Sequence, residues 1–190
     1  SFSEAELTRG VRLGVRNGEI TPVFSGSALQ SIGIERLMDL ILKYFPTYGE
    51  SGSYTAIGSD GEPVELETNE KESLSAQVFK TIVDPFVGRI SYLKVLSGVL
   101  SSDSTVYNAN KEKPEKISSV FIIKGKHQTA AGKLFTGDIG AVVKLQNTQT
   151  NDTLCEKGKP VKAEAIAFSE PMYAQAVFPK SKNDEDKLSS

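Results

Sequence analysis

Gln77-Val78-Phe79-Lys80-Thr81-Ile82-Val83-Asp84-Pro85-Phe86-Val87-Gly88-Arg89-Ile90-Ser91-Tyr92-Leu93-Lys94-Val95-Leu96-Ser97-Gly98 holds two runs rich in β-branched and aromatic residues, divided by a five-residue break at 84–88. Pro85 presets φ for a turn and Gly88 permits positive φ, so the spacing predicts a β-hairpin. Ser97-Gly98 closes the second run, and Ser104-Thr105-Val106-Tyr107-Asn108 begins another short extended segment. The region is predicted to be all-β.

Outward from the hairpin, residues 75–168 alternate short β-rich runs with turn residues, at intervals that suit a sandwich or barrel. Ile117 to Ile123 and Ile139 to Lys144 are the most apolar of these runs. Being nearly continuous rather than alternating, they are expected to be strands buried on one face and covered by another domain on the other.

The same residues carry a resemblance to a known family. Phe79-Lys80-Thr81 through Gly88-Arg89, then Ser104 to Asn108, Thr136-Gly137-Asp138-Ile139 and Asn151-Asp152-Thr153-Leu154-Cys155 resemble, in order and spacing, the second domain of translation elongation factor G and its paralogues. Pro22 to Leu29 resembles the last guanine-contacting loop of that family's GTPase domain, and Phe168-Ser169-Glu170-Pro171 through Lys187 the start of its third domain. The resemblance implies a mainly β fold: a translation-factor-type β-barrel preceded by the α/β edge (helix-strand-helix) of a P-loop GTPase domain. It implies four parts: the C-terminal edge of a GTPase domain at 1–47, a connector at 48–73, the domain II barrel at 74–168, and the start of domain III at 169–190.

The N-terminal part has the local grammar that this implies. Ser3-Glu4-Ala5-Glu6 reads as a capping box opening a helix. Leu7, Val11 and Val15 follow at steps of four, and Gly18 marks its stop. A strand is expected at 20–24, running into the small-residue loop Ser25-Gly26-Ser27-Ala28. A second helix is expected from Ile34, Leu37, Met38, Ile41, Leu42 and Phe45, and Pro46 ends it. A lone strand between two helices belongs to a parallel sheet whose other strands cover its edges. Nothing else in the chain supplies them, so the expectation is a fragment of a larger protein. From Thr47 to Ser73 the composition shifts to Gly, Ser, Thr and Glu, with one short strand expected at 63–67 and otherwise a connector lying over the surface. One further strand is expected at 172–178, and helix-start character at Asn183-Asp184-Glu185.

Composition limits the function classes. Twenty-two basic against 24 acidic residues give a net charge of −2, which argues against a chain that coats nucleic acid non-specifically and leaves only local RNA contact. DNA is not an expected partner, and a monomer is. One cysteine cannot form an internal disulfide, and Cys155 with the single His127 cannot assemble a metal site. No run approaches ~18 apolar residues, and no basic-then-apolar leader pattern opens the chain, so neither a membrane partner nor secretion is expected. The expected compartment is the cytoplasm.

The candidate residues follow from what is present and what is missing. The chain has no GxxxxGK[ST], DxxG or NKxD segment, so it is expected not to hydrolyse GTP by itself, and no catalytic residue is assigned. The resemblance implies that Ser27, Ala28 and Leu29 contribute to the guanine side of a nucleotide site in the whole protein, where small residues let backbone amides approach the base. GTP or GDP with Mg²⁺ is the cofactor that the resemblance implies for the whole protein, and no cofactor is expected on this fragment. Lys124, Lys126, His127 and Lys133 cluster around a Gly-containing loop that could meet phosphate or be a solvated basic loop. In this loop the family usually carries a segment rich in His, Ala, Asn, Lys, Arg and Glu, which points to a divergent paralogue. Arg89, in the hairpin that does match, is the better single candidate for a contact with ribosomal RNA or with the neighbouring domain, with a salt bridge in the barrel rim as its alternative.

The function that the resemblance implies is a ribosome-associated translational GTPase of the elongation factor G type. Its barrel would rest on small-subunit RNA and couple GTP state to domain orientation. A ribosomal protection protein is a neighbouring reading, and a free-standing RNA- or protein-binding barrel is the reading from another class. An enzyme acting through Cys155 and His127 is a third, which predicts an accessible, reactive thiol.

Overall fold

The computed structural model describes residues 2–125 and 127–181. Ser3 accepts from the Glu6 amide and Glu6 reaches back to the Ser3 amide, which starts α1 (Glu4–Arg16) as the capping-box reading predicts. Its C-cap is Asn17, and Gly18 follows at φ +73, the left-handed turn that the glycine was expected to supply. The strand expected at 20–24 does not form. Its residues pair with no strand among the described residues, and a strand persists only where a neighbour takes its amides and carbonyls. Then comes α2 (Ile34–Tyr44), capped at Phe45 and stopped by Pro46. Its apolar stripe is largely open: Met38, Ile41, Leu42 and Phe45 are all exposed.

A short 3₁₀ turn (Tyr48–Ser51) leads from the helices to the sheets. Glu50 organises it by accepting from the Thr47 amide at 2.6 Å and the Thr47 hydroxyl at 3.0 Å. Arg12 of α1 meets the same carboxylate with one guanidinium nitrogen at 2.9 and 2.8 Å, and donates from the other to the Lys43 carbonyl at 3.1 Å. One arginine therefore ties α1, the end of α2 and the turn together. The Arg12 hydrogen bonds, and then those from Thr47, hold the Glu50 carboxyl at about 2, against an ordinary value of 4.5. Because the folded value is depressed, this contribution is complete above pH ~4.5 and is lost as pH falls from there through about 2. An NMR titration of Glu50 is expected to show a midpoint near 2 in the parent chain. In Arg12→Gln the midpoint should rise toward 4.5, and an unchanged midpoint would remove Arg12 as its main cause.

From Ser53 to Lys162 the chain is built on strands, all paired antiparallel. The segment read as a connector contains β1 (Ser53–Gly58) and β2 (Pro63–Glu67), an antiparallel pair turning through Asp60-Gly61. Then follow β3 (Ser75–Asp84), β4 (Gly88–Ser97), β5 (Val99–Ser101), β6 (Ser104–Asn108) and β7 (Lys113–Ile117). After them come β8 (Val120–Lys124), β9 (His127–Ala131), β10 (Lys133–Phe135), β11 (Ile139–Val143), β12 (Thr153–Cys155) and β13 (Val161–Lys162). Eight strands form one sheet in the order β7-β6-β12-β3-β4-β11-β8-β9, β10 pairs with β5, and β13-β1-β2 make a small sheet.

The deciding stretch is the β3–β4 hairpin, as read. Gly88 sits at φ +84, and the Asp84 carboxylate accepts from the Phe86 and Val87 amides, both at 2.9 Å. A bulge between Val78 and Lys80 puts Phe79 out of register. The apolar run 117–123 is not one strand. Ile117 ends β7 and Val120 begins β8, with Ser118 and Ser119 turning the corner between them. The ladder of the large sheet does not close, but its inner residues curl round one core that includes Val78, Leu93, Leu100, Ile117, Leu134 and Leu154. The small sheet covers a second cluster of Ala56, Leu66, Ala109, Cys155 and Val161. These two cores make the mainly β, barrel-like body that was expected. The strand expected at 172–178 is not formed: Met172, Tyr173, Val177 and Phe178 are exposed and pair with nothing among the described residues. The helix start expected at Asn183 lies outside the described residues.

Candidate functional site

Three separate places carry the residues singled out by sequence. The first is the loop before α2. A two-way backbone bridge closes it, Ser27 N–H to the Ile32 carbonyl at 3.0 Å and Ile32 N–H to the Ser27 carbonyl at 2.9 Å. The Ser27 hydroxyl accepts from the Gln30 amide at 3.4 Å. Gly26 fits because a Cβ there would come within 2.9 Å of the Ile32 carbonyl oxygen. Ala28 is exposed and Leu29 is 98% exposed. Among the described residues no backbone acceptor takes the Ala28 or Leu29 amide. The loop is thus a pinned turn whose exposed crown leaves these two N–H groups without a backbone acceptor among the described residues.

The second place is the turn end of the β3–β4 hairpin. Arg89 is half-buried and pairs across from Val83, and its carbonyl accepts from the Lys144 amide at 2.9 Å. Among the described residues no carboxylate forms an ion pair with its guanidinium, so the rim salt bridge is absent there. Phe86 stands 96% exposed at the turn, and Lys144 is exposed at φ +61. Two cationic residues and an aromatic one therefore lie at the same end of the sheet. Sequence reasoning had only Arg89 of the three. Phe86 lay in the quoted turn, whereas Lys144 reaches Arg89 through a ladder that local sequence does not reveal.

The third place is the tip of the β8–β9 hairpin. Lys124 and His127 face each other across it, with Gly125 at φ +59. Both are exposed, as is Lys133 on β10. Lys126 lies outside the described residues. This tip and Arg89 do not converge. In β11, Val143 lies beside Ile90 and Ile139 beside Lys94, while β8 runs from Val120 beside Val142 toward Lys124. Arg89 is therefore level with the end of β11 and the basic tip with its start, roughly 20 Å apart at ~3.3 Å per residue.

Cys155 and His127 do not meet either. Cys155 is fully buried in β12, its thiol faces the Tyr107 carbonyl at 3.4 Å, and burial pushes the thiol up. That environment keeps the sulfur protonated and packed, the opposite of a nucleophile's. His127 is exposed on a different hairpin.

Nothing in the local sequence pattern pointed to a buried polar chain beside β12. The Asn108 side-chain amide donates to Thr148 Oγ1 at 3.1 Å and to Asp152 Oδ2 at 2.9 Å. The Glu115 carboxylate takes the Thr148 hydroxyl at 3.2 Å and the Gln146 amide at 3.2 Å, and also accepts from the Asn147 amide. All four side chains lie in the interior. Together they fix the 144–152 loop over the sheet, since each buried polar group that loses its partner costs about 1–3 kcal/mol.

Residues 73–157 match the family described as elongation factor G domain 2. An elongation factor G-like protein of Thermotoga maritima is 40% identical over 185 residues, 97% of this chain and 27% of that protein. Elongation factor G of Ureaplasma urealyticum is 35% identical over 188 residues, 99% of this chain and 27% of that protein. A crystal structure of a Thermus thermophilus protein agrees in fold, with a TM-score of 0.66 at 20% identity over 100% of this chain and 26% of that one. The chain thus spans 27% of the length of these curated relatives. The domain 2 match falls on the hairpin, the corner and β12, and the similarity to these relatives runs on both sides of it over 97–99% of the chain at 35–40% identity, so the chain belongs to the elongation factor G family.

Proposed function

We propose that this chain is the barrel-bearing part of a ribosome-associated translational GTPase, in which the barrel couples GTP state to ribosome docking and to the orientation of neighbouring domains. The observation that carries this is the domain 2 match at 73–157, set in a stretch that is 34–40% identical to curated elongation factors. The open apolar stripe of α2 supports it, because an amphipathic helix keeps such a face for a packed neighbour.

GTP with Mg²⁺ would supply the hydrolysable phosphate in the whole protein. The 27–29 loop fits the base end of such a ligand, since the amides at Ala28 and Leu29 have no backbone acceptor among the described residues and so could donate to a carbonyl, and Ala28 is small and exposed. The sequence has no GxxxxGK[ST] segment of the kind that cradles phosphates. The working place of the protein would be the cytoplasm, with ribosomes. The Lys124–His127 tip, where the family pattern is not kept, is assigned to a paralogue's own contacts.

Of the two basic places, the Arg89 end is the better RNA contact, because Arg89 has no carboxylate partner among the described residues and Phe86 offers a stacking surface beside it. Cosedimentation of this chain with small ribosomal subunits tests the reading. Association should weaken from about 50 to about 200 mM salt, and Arg89→Ala should lower both the affinity and the logarithmic salt slope, the latter by about 1. Binding that ignores salt and Arg89 alike would overturn it.

A further inference from the structure

Where the chain leaves the barrel, one side chain takes both backbone groups of one residue. Asn151 Oδ1 accepts the Ile166 amide at 2.7 Å, and Asn151 Nδ2 donates to the Ile166 carbonyl at 3.1 Å. A primary amide has an acceptor and a donor side by side, so it reproduces one rung of a β ladder without a strand. Two further bonds hold the residues just before. The Ala163 amide donates to Thr153 Oγ1 at 2.9 Å, and Gln77 Nε2 donates to the Glu164 carbonyl at 2.7 Å. Past Ile166, residues 167–180 are exposed and hydrogen-bond to nothing among the described residues.

Asn151 is itself held with unusual firmness for a loop residue. It sits at φ +81, a left-handed conformation that asparagine tolerates better than most side chains. Its amide donates to the Val78 carbonyl at 2.7 Å, and the Val78 amide returns to the Asp152 carbonyl at 2.9 Å, where β3 bulges. Directly beneath, Asp152 joins the buried chain through Asn108 and Thr148 to Glu115. The interior polar groups thus have a mechanical consequence at the surface: they fix the backbone from which the Asn151 amide projects.

We propose that Asn151 is a latch that makes residues 163–166 part of the rigid barrel, so that any reorientation of the following segment pivots at Ala167. The latch stands on the contacts above. Its use in steering a later domain rests on the coupling role proposed for the barrel.

The test uses this chain alone, without ribosome or nucleotide, so it fails independently of that role. Asn151→Gly keeps the left-handed backbone at no steric cost and deletes both latch bonds. Amide exchange at Ile166 should accelerate at least tenfold in this variant, with Leu93 and Val142 amides unchanged. Asn151→Asp supplies a signature that mere packing would not. At pH 7 its carboxylate can accept from the Ile166 amide but repels the Ile166 carbonyl, whereas at pH 3 the protonated acid has the donor–acceptor pair of the native amide. A nitroxide on a cysteine placed at exposed Ala165 should therefore be more mobile than in the parent chain at pH 7 and match the parent at pH 3. Unchanged Ile166 exchange in Asn151→Gly would overturn the latch. So would exchange that rises equally at Leu93 and Val142, or label mobility in Asn151→Asp that is insensitive to pH.

Discussion

Leu154→Ala is expected to lower the free energy of unfolding by about 3–4 kcal/mol, read as a fall in the urea midpoint at unchanged slope. Leu154 is fully buried at the centre of β12, whose three residues are all interior. It faces Ala76 of β3 on one side and Asn108 of β6 on the other. Two ladders hold it, so the walls of the cavity left by three lost carbons cannot collapse, and the cost should approach the upper part of the range for buried leucines. The polar chain through Asn108 and Asp152 flanks the same strand, and any shift that filled the void would strain those bonds. Leu42→Ala supplies the contrast. With Leu42 78% exposed on α2, the loss should stay below about 0.5 kcal/mol. Equal effects at the two sites would mean that β12 does not lie in the interior.

What could be read from the sequence follows the range of the interaction concerned. The β3–β4 hairpin was legible because its turn is specified within five residues: proline, glycine and an aspartate that caps the turn itself. The α1 capping box was legible for the same reason, and Pro46 marked the end of α2. The β1–β2 pair was half missed. Tyr54 and Ala56 of β1, and Val64 and Leu66 of β2, alternate with polar residues as one-sided strands do, but the acidic outer residues Glu65 and Glu67 read as surface linker. The strands expected at 20–24 and 172–178 had the right residue types and no partner. Propensity for a strand is a preference for a pleated, half-covered surface, and it forms nothing where that surface is missing.

Of the candidate site, sequence located residues but not their company. Arg89 was found, yet its neighbour Lys144 arrives through a ladder, and its separation from Lys124 follows from register alone. The contacts that fix the loops and the exit span long stretches of chain: 44 residues from Asn108 to Asp152, and 87 from Gln77 to Glu164. No local pattern encodes such pairs. Asn151 was visible only as part of a family motif, and its use of one amide to hold Ile166 emerged from the geometry.

Gly98→Ala should be as damaging as the core truncation, through backbone alone. Gly98 turns the chain from β4 into β5 at φ +70, its amide donates to the Asn69 carbonyl at 2.9 Å, and its carbonyl accepts the Thr136 hydroxyl at 2.8 Å. A Cβ there would meet the Glu72 carbonyl oxygen at 2.7 Å and the Leu74 Cα and nitrogen at 2.8 Å. Those atoms are main chain, so none can swing aside. The segment entering β3 must instead move off the corner, where the Ser97 hydroxyl also holds the Ser73 carbonyl at 2.7 Å. Gly88→Ala isolates the two contributions, because Gly88 also has a positive φ, +84, with nothing within 4 Å of its missing Cβ. That variant should lose only the roughly 1–2 kcal/mol of a left-handed alanine. The corner variant should lose at least about 3 kcal/mol, the same conformational cost plus the overlap. If urea midpoints fell equally for the two, the close crossing at Glu72 and Leu74 would contribute nothing, and Gly98 would be an ordinary turn glycine. If only the corner variant collapsed, the entrance to β3 is fixed by contact with that corner, and the register of the deciding hairpin depends on a residue just beyond its own end.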